Sequence, residues 1–292
     1  MSEPHTTLRI APMVSDVSKL RNRVMSAVAM IALALGTAWA GGWVFVLLIV
    51  GAAVLMTWEW YRMMNLEPPA GSQNAIDNRL VFVIGMVVCL AAGWSFTFRA
   101  DPIGLLAPLL VAPTAVFVRR GGLVALGWAF IALPAIALIW FRSSVDLGFF
   151  AIITIFAVVW ATDTFAMVSG KLIGGPRLFP VISPNKTWSG AVGGFVAGSL
   201  AGAAVIAVFV ADGQWWYGFL ISGVLSFAAQ GGDLVESAVK RTCRVKDASD
   251  LIPGHGGVLD RLDGLVGASV VAAIWALLVN AERPAQALLT GS

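Results

Sequence analysis

Charge is what this chain has least of. Only 12% of its 292 residues are Asp, Glu, Lys or Arg, against about 25% in a soluble domain. That deficit, with repeated apolar runs of roughly 20 residues, excludes a water-soluble globular protein. Cysteine is scarce too. Cys89 and Cys243 lie in different regions and suggest no disulfide framework. The two histidines and two cysteines are scattered along the chain, without the paired spacing of a structural zinc site. Alternation of polar and apolar residues is missing from the apolar runs, which excludes a β-barrel. What remains is an all-α, polytopic integral membrane protein. The 31 glycines suit close helix packing in lipid.

Nine transmembrane helices are expected, at roughly 24–39, 42–61, 80–97, 103–118, 122–141, 148–169, 188–210, 215–239 and 264–280. The positive-inside rule tests the count. With the N-terminus cytoplasmic, Arg9, Lys19, Arg21, Arg23, Arg62, Arg79, Arg119, Arg120, Lys171, Arg177, Lys186, Lys240, Arg241, Arg244, Lys246 and Arg261 share the inner side. Only Arg99, Arg142 and Arg283 fall outside, so 16 of the 19 cations lie on one face. The expected organisation is a cytoplasmic segment over 1–20, N-terminal membrane helices over 21–145 and a C-terminal membrane region over 146–292. Its cytoplasmic loops run over 170–187 and 240–263. The first apolar run has no clear small-residue cleavage site and reads as a retained span. Ser183-Pro184-Asn185 reads as a turn leading into the seventh span. Glu59, between Trp58 and Trp60, reads as an interfacial anchor, and Trp215-Trp216-Tyr217 as an outer belt.

Against this apolar background one polar stretch stands out. Residues 237–263 read SAVKRTCRVKDASDLIPGHGGVLDRLD and hold nine of the chain's 35 acids and bases. Charge beside membrane spans is costly unless it is used. If the eighth span continues into this stretch, Asp233, Glu236, Ser237, Lys240 and Arg241 fall at i, i+3, i+4, i+7 and i+8. That is one helix face. Asp260 and Asp263 form a second acidic pair at i, i+3. Between the two acidic groups Gly254, Gly256 and Gly257 flank His255, a turn whose backbone N–H groups can approach a ligand closely.

Acids from two segments suit a hard cation such as Mg²⁺, which takes oxygen ligands and is usually held by one or two carboxylates plus substrate phosphates. Lysines and arginines nearby would take the remaining phosphate oxygens. Acids for metal, bases for phosphate and an apolar surround imply phosphoryl or nucleotidyl transfer to a lipid headgroup.

The spacing of Ser237, Lys240-Arg241, Lys246-Asp247, Pro253, His255-Gly256-Gly257, Asp260-Arg261 and Asp263 resembles the signature of the phosphatidate cytidylyltransferases, or CDP-diacylglycerol synthases. Upstream, Asp163, Ala166, Gly170-Lys171 and Gly174 resemble a second family segment. Ser183-Pro184-Asn185-Lys186-Thr187-Trp188 resembles a third, and Gly232-Asp233-Leu234 with Glu236-Ser237 matches the lead-in. The likeness covers the C-terminal half. Three residues depart from it: Ser189 stands where the family usually has glutamate, and Phe165 and Met167 where it prefers a small residue and a tyrosine.

The resemblance implies that CTP and phosphatidate give CDP-diacylglycerol and pyrophosphate. It implies Asp233 and Asp260 as primary metal carboxylates, with Asp263 and Glu236 as second candidates. The cofactor expected is Mg²⁺, with room for a second metal ion or a monovalent cation. Lys240, Arg241, Lys246 and Arg261 would hold phosphates, and His255 the leaving pyrophosphate. Ser183, Lys186 and Lys171 would bring the other loop to the cleft, with Ser237, Gly256 and Gly257 completing the substrate contacts. Phosphatidate would enter from the inner leaflet of the cell membrane. Surrounding lipid is the expected partner, with a homodimer left open and no nucleic acid. Two other readings are a CTP-dependent polyprenol kinase, releasing CDP, and an anion transporter. The second is disfavoured because no internal repeat is evident.

Overall fold

The computed structural model describes residues 11–64, 122–252 and 256–292. Its helices are α1 (Ala11–Ala40), α2 (Gly42–Met63), α3 (Gly122–Ser143), α4 (Gly148–Leu172), α5 (Trp188–Phe209), α6 (Trp215–Thr242), α7 (Leu259–Val279) and α8 (Pro284–Thr290). Between α4 and α5 lies a two-stranded antiparallel ribbon, β1 (Arg177–Phe179) and β2 (Ser183–Thr187). Among the described residues six helices, α2 to α7, are long and apolar enough to cross a membrane, so this is a multi-pass helical membrane protein. Seven of the nine expected segments fall on described helices. The expected spans at 80–97 and 103–118 lie outside the described residues.

The helices pack through small residues. Lipid offers no hydrophobic drive for helices to associate, so close backbone approach carries the packing. Gly190, Gly194, Gly198 and Gly202 recur every fourth residue along α5, and all four are buried. Their surfaces rest on Ala166, Thr162 and Val158 of α4. The Thr162 and Ser226 hydroxyls meet at 2.7 Å, tying α4 to α6 inside the bundle. The closest approach is between α6 and α7. A Cβ on Gly232 would strike the Asp263 carbonyl, and one on Gly267 the Ala228 carbonyl. This contact carries the acids of α6 to those of α7.

One end of the bundle collects the charge. The C-termini of α2, α4 and α6 and the N-termini of α5 and α7 meet there. At the other end Arg142 Nε donates to the Ala38 carbonyl at 2.6 Å, a cation placed on the carbonyl end of α1. Tyr217 does not serve there as a belt residue. Its hydroxyl donates to the Ala287 carbonyl at 3.0 Å and accepts from Trp275 Nε1 at 3.0 Å, which pins α8 to the bundle. Trp215 and Trp216 remain exposed, as a belt requires.

Two local expectations change. Ser183 to Asn185 is not a turn but part of β2. The strand pairs Arg177 with Thr187 and Phe179 with Ser183, and Arg177 donates to the Asn185 carbonyl at 3.1 Å. Pro184 is tolerated because a two-stranded ribbon has a free edge on each strand. Glu59 is no interfacial anchor either, since it is fully buried.

Candidate active site

Helix α6 has 28 residues, about 42 Å at 1.5 Å per residue, against about 30 Å of hydrocarbon. Its polar last turns therefore project beyond the apolar layer. The helix stops through a left-handed residue, Arg244 (φ 59°), with Val245 N–H donating back to the Lys240 carbonyl at 3.0 Å. This close turns the chain toward the 245–258 loop, which leads into α7.

Three carboxylates meet where α6 passes α7. One oxygen each from Asp233, Glu236 and Asp263 lies within 4.8 Å of the other two. Lys186, from β2, reaches Asp233 Oδ2 at 2.6 Å, so the ribbon is fastened to α6 beside this group. Ser237 Oγ donates to Asp233 Oδ1 at 3.3 Å. Lys240 sits between Glu236 Oε2 at 2.6 Å and Asp260 Oδ1 at 2.7 Å. The second oxygen of Glu236 is buried and has no hydrogen-bond partner among the described residues. Asp163, on α4, lies within electrostatic reach of Asp233, Lys186 and Arg261.

The donor set fits a hard divalent cation. It is all oxygen, drawn from two helices, and includes a buried carboxylate oxygen with nothing to accept from. The charge fits as well. With every group ionised, Asp163, Asp233, Glu236, Asp260 and Asp263 face Lys186, Lys240 and Arg261. Five negative charges against three positive leave a formal two minus, the charge that one divalent ion neutralises.

Asp260 stands apart from the three. Its oxygens accept from Lys240, from Gly257 N–H at 2.8 Å and from Ala248 N–H at 3.0 Å. It fastens the loop onto the first turn of α7. Gly256 forms a bridge with Ile252 and has φ 87°, a left-handed value that favours glycine. Gly257 is buried with its Cα against Glu59. Arg241 ties the ribbon to the loop, donating to the Ile182 carbonyl at 3.2 Å and the Val245 carbonyl at 3.3 Å. Lys171, Lys246 and Arg261 are exposed at the same end, and Ser183 is half-buried in the ribbon. His255 lies outside the described residues.

Glu59 is the site residue that sequence reasoning missed. From α2 it accepts Val258 N–H at 2.8 Å and Leu259 N–H at 2.7 Å, and the Ser249 hydroxyl at 2.5 Å. No periodicity announces a partner about 200 residues away. Its one signal in the sequence is an acid in an apolar helix, flanked by Trp58 and Trp60 as an interfacial residue would be.

The family model described as the cytidylyltransferase family matches residues 21–279. The chain belongs to the cytidylyltransferase family. A Brucella abortus (strain 9-941) protein named phosphatidate cytidylyltransferase is 36% identical over 260 residues, covering 87% of this chain and 92% of its own length. Proteins of the same name follow from Staphylococcus haemolyticus, 33% identical over 199 residues (67% of this chain, 76% of that one), and Rickettsia felis, 40% identical over 149 (48% and 64%). The match runs well into the N-terminal half, beyond the C-terminal half that the motifs cover. Of the departures, Phe165 and Met167 are exposed. Ser189 donates to the Gly174 carbonyl at 2.5 Å and meets the Thr187 hydroxyl at 3.0 Å, so it braces the base of the ribbon.

Proposed function

We propose that this chain transfers the cytidylyl group of CTP to phosphatidate, giving CDP-diacylglycerol and pyrophosphate. The observation that carries the reading is the meeting of Asp233, Glu236 and Asp263 beside Lys186 and Lys240 at the charged end of a membrane bundle. Family membership and the names of the relatives support it. The chemistry needs no dedicated base. A phosphate monoester with a second pKa of about 6 is largely dianionic at neutral pH and is already a nucleophile. The barrier is electrostatic, since this anion must approach a polyanionic nucleotide.

Asp233, Glu236 and Asp263 would hold Mg²⁺, and Asp260 would set Lys240 and the loop. When bound, that ion neutralises phosphate oxygens and aligns the displacement. Lys186 exchanges its Asp233 partner for a nucleotide phosphate, and Lys171, Lys246 and Arg261 add positive charge around it. Ser183 and Ser237 offer hydroxyls. The N–H groups of Gly256 and Gly257 are taken by the Ile252 carbonyl and Asp260, so these glycines would serve substrate by allowing close backbone approach, and His255 would orient the leaving pyrophosphate. Nucleophilic attack by the phosphatidate oxygen at the α-phosphorus forms one P–O bond as the bond to pyrophosphate breaks.

The same reading puts the N-terminus and the site in the cytoplasm and gives the chain nine spans in the inner membrane. The cation distribution supports it. Phosphatidate then arrives sideways from the inner leaflet, and its acyl chains need no soluble pocket. Residues 146–292 form the catalytic region on this reading. The test is an assay on purified protein with phosphatidate and CTP labelled at the α- or γ-phosphorus. The expected result is α-label in chloroform-soluble lipid, lost on chelation. γ-Label in lipid instead would establish the kinase reaction and overturn the proposal.

A further inference from the structure

The catalytic end of this protein is anchored by a residue far from it in sequence. Helix α7 begins without a side-chain cap of its own: Val258 occupies the cap position and offers none. The first N–H groups of a helix need acceptors. Glu59 supplies them from α2, one oxygen to Val258 N–H and the other to Leu259 N–H, while the Ser249 hydroxyl adds a third bond. An acidic group at a helix N-terminus is also favoured by the helix dipole. Three donors account for a carboxylate that is fully buried. Gly257 makes room for it, because a Cβ there would lie 2.7 Å from Glu59 Oε1.

The consequence reaches the acidic group. Leu259 opens the helix that carries Asp260 and Asp263. Glu59 therefore fixes where α7 starts, along its axis and in rotation. Asp260 lies in the first turn and Asp263 one turn further. Asp260 in turn holds Lys240, which holds Glu236. We infer that Glu59 is a positioning residue for cytidylyl transfer: through the start of α7 it sets Asp263 against Asp233 and Glu236. The N-terminal helices thus contribute to the active site. This rests on the cytidylyltransferase reading of the acidic group.

The test compares wild type, Glu59→Gln and Ser249→Ala in detergent, each normalised to folded protein by gel filtration. Mn²⁺ alone, followed by electron paramagnetic resonance, probes the acidic group without turnover. Label transfer from CTP to lipid gives kcat and KM. Outer groups that orient metal ligands commonly change affinity or activity about 10- to 100-fold. Glu59→Gln should weaken Mn²⁺ binding and lower kcat by about tenfold, with a smaller change in KM for CTP. Excess Mn²⁺ should restore part of the rate. Ser249→Ala should shift both in the same direction and by less. A folded Glu59→Gln protein with wild-type Mn²⁺ affinity and kcat would overturn the inference, even if its melting temperature fell. Should Glu59→Gln yield no folded protein, Ser249→Ala decides: weakened Mn²⁺ binding supports the positioning role and unchanged binding overturns it. Absence of lipid labelling by wild type would remove the cytidylyltransferase reading itself, and this inference with it.

Discussion

Lys240 is the ion on which the site's charge balance turns. Its ammonium lies 2.6 Å from Glu236 and 2.7 Å from Asp260, and its side chain is 12% exposed, against 1% and 5% for the two acids. Lys240→Met keeps most of the apolar stem and removes the charge. Two buried carboxylates then lose their shared counterion, and the formal charge of the group falls from two minus to three minus. Removing one partner of a buried ion pair costs about 3–5 kcal/mol, because the other charge stays buried and uncompensated. At about 2–4 °C per kcal/mol for a chain of 150–250 residues, the melting midpoint should fall by on the order of 10 °C. The assay is tryptophan fluorescence during heating in detergent at one scan rate, with and without Mg²⁺. Mg²⁺ should raise the midpoint of the variant more than that of wild type. The double variant Lys240→Met/Glu236→Gln should regain part of the loss, since one uncompensated acid is then neutral. A Lys240→Met midpoint equal to wild type, or a double variant no better than the single one, would refute the reasoning.

Further outcomes follow from the same geometry. Asp260→Asn should abolish turnover while expression stays near normal. Because Asp260 is bound to Lys240, Ala248 and Gly257, the variant should weaken Mn²⁺ binding only in part, by about tenfold; complete loss of Mn²⁺ binding would make Asp260 a metal ligand instead. Gly267→Leu drives a side chain into the Ala228 carbonyl. It should cost at least about 1–3 kcal/mol by overpacking and lower both the melting midpoint and turnover. A wild-type midpoint would mean that α6 and α7 do not approach so closely.

Much of the site was legible because one helix carries most of it. The i, i+3, i+4, i+7 spacing of Asp233, Glu236, Ser237 and Lys240 placed them on one face, and the intrahelical bonds Ser237–Asp233 and Lys240–Glu236 follow from that spacing. Periodicity could not say what lies across from the face. Asp260 and Asp263 were read as one acidic pair, yet one fastens the loop and the other joins the α6 acids. A difference of one turn in helix position separates those fates, and hydropathy does not see it. Hydropathy also started the last span at 264, where the apolar run begins, whereas the helix starts at Leu259. Its first turns are polar because they stand at the site. The ribbon was missed because its pairing depends on tertiary support. Glu59 was missed because its partners are contributed by a loop about 200 residues away.

The central claim is that the meeting of α6 and α7 performs cytidylyl transfer, and Asp263→Asn tests it most directly. The substitution preserves shape and removes one charge from the acidic group while leaving the Gly257 and Lys240 contacts of Asp260 intact. The measurement is the rate of α-label transfer from CTP to phosphatidate, per folded molecule, beside wild type. A fall of about a hundredfold or more is expected for a lost contact to the reacting charge. A wild-type rate from folded Asp263→Asn protein would contradict the account.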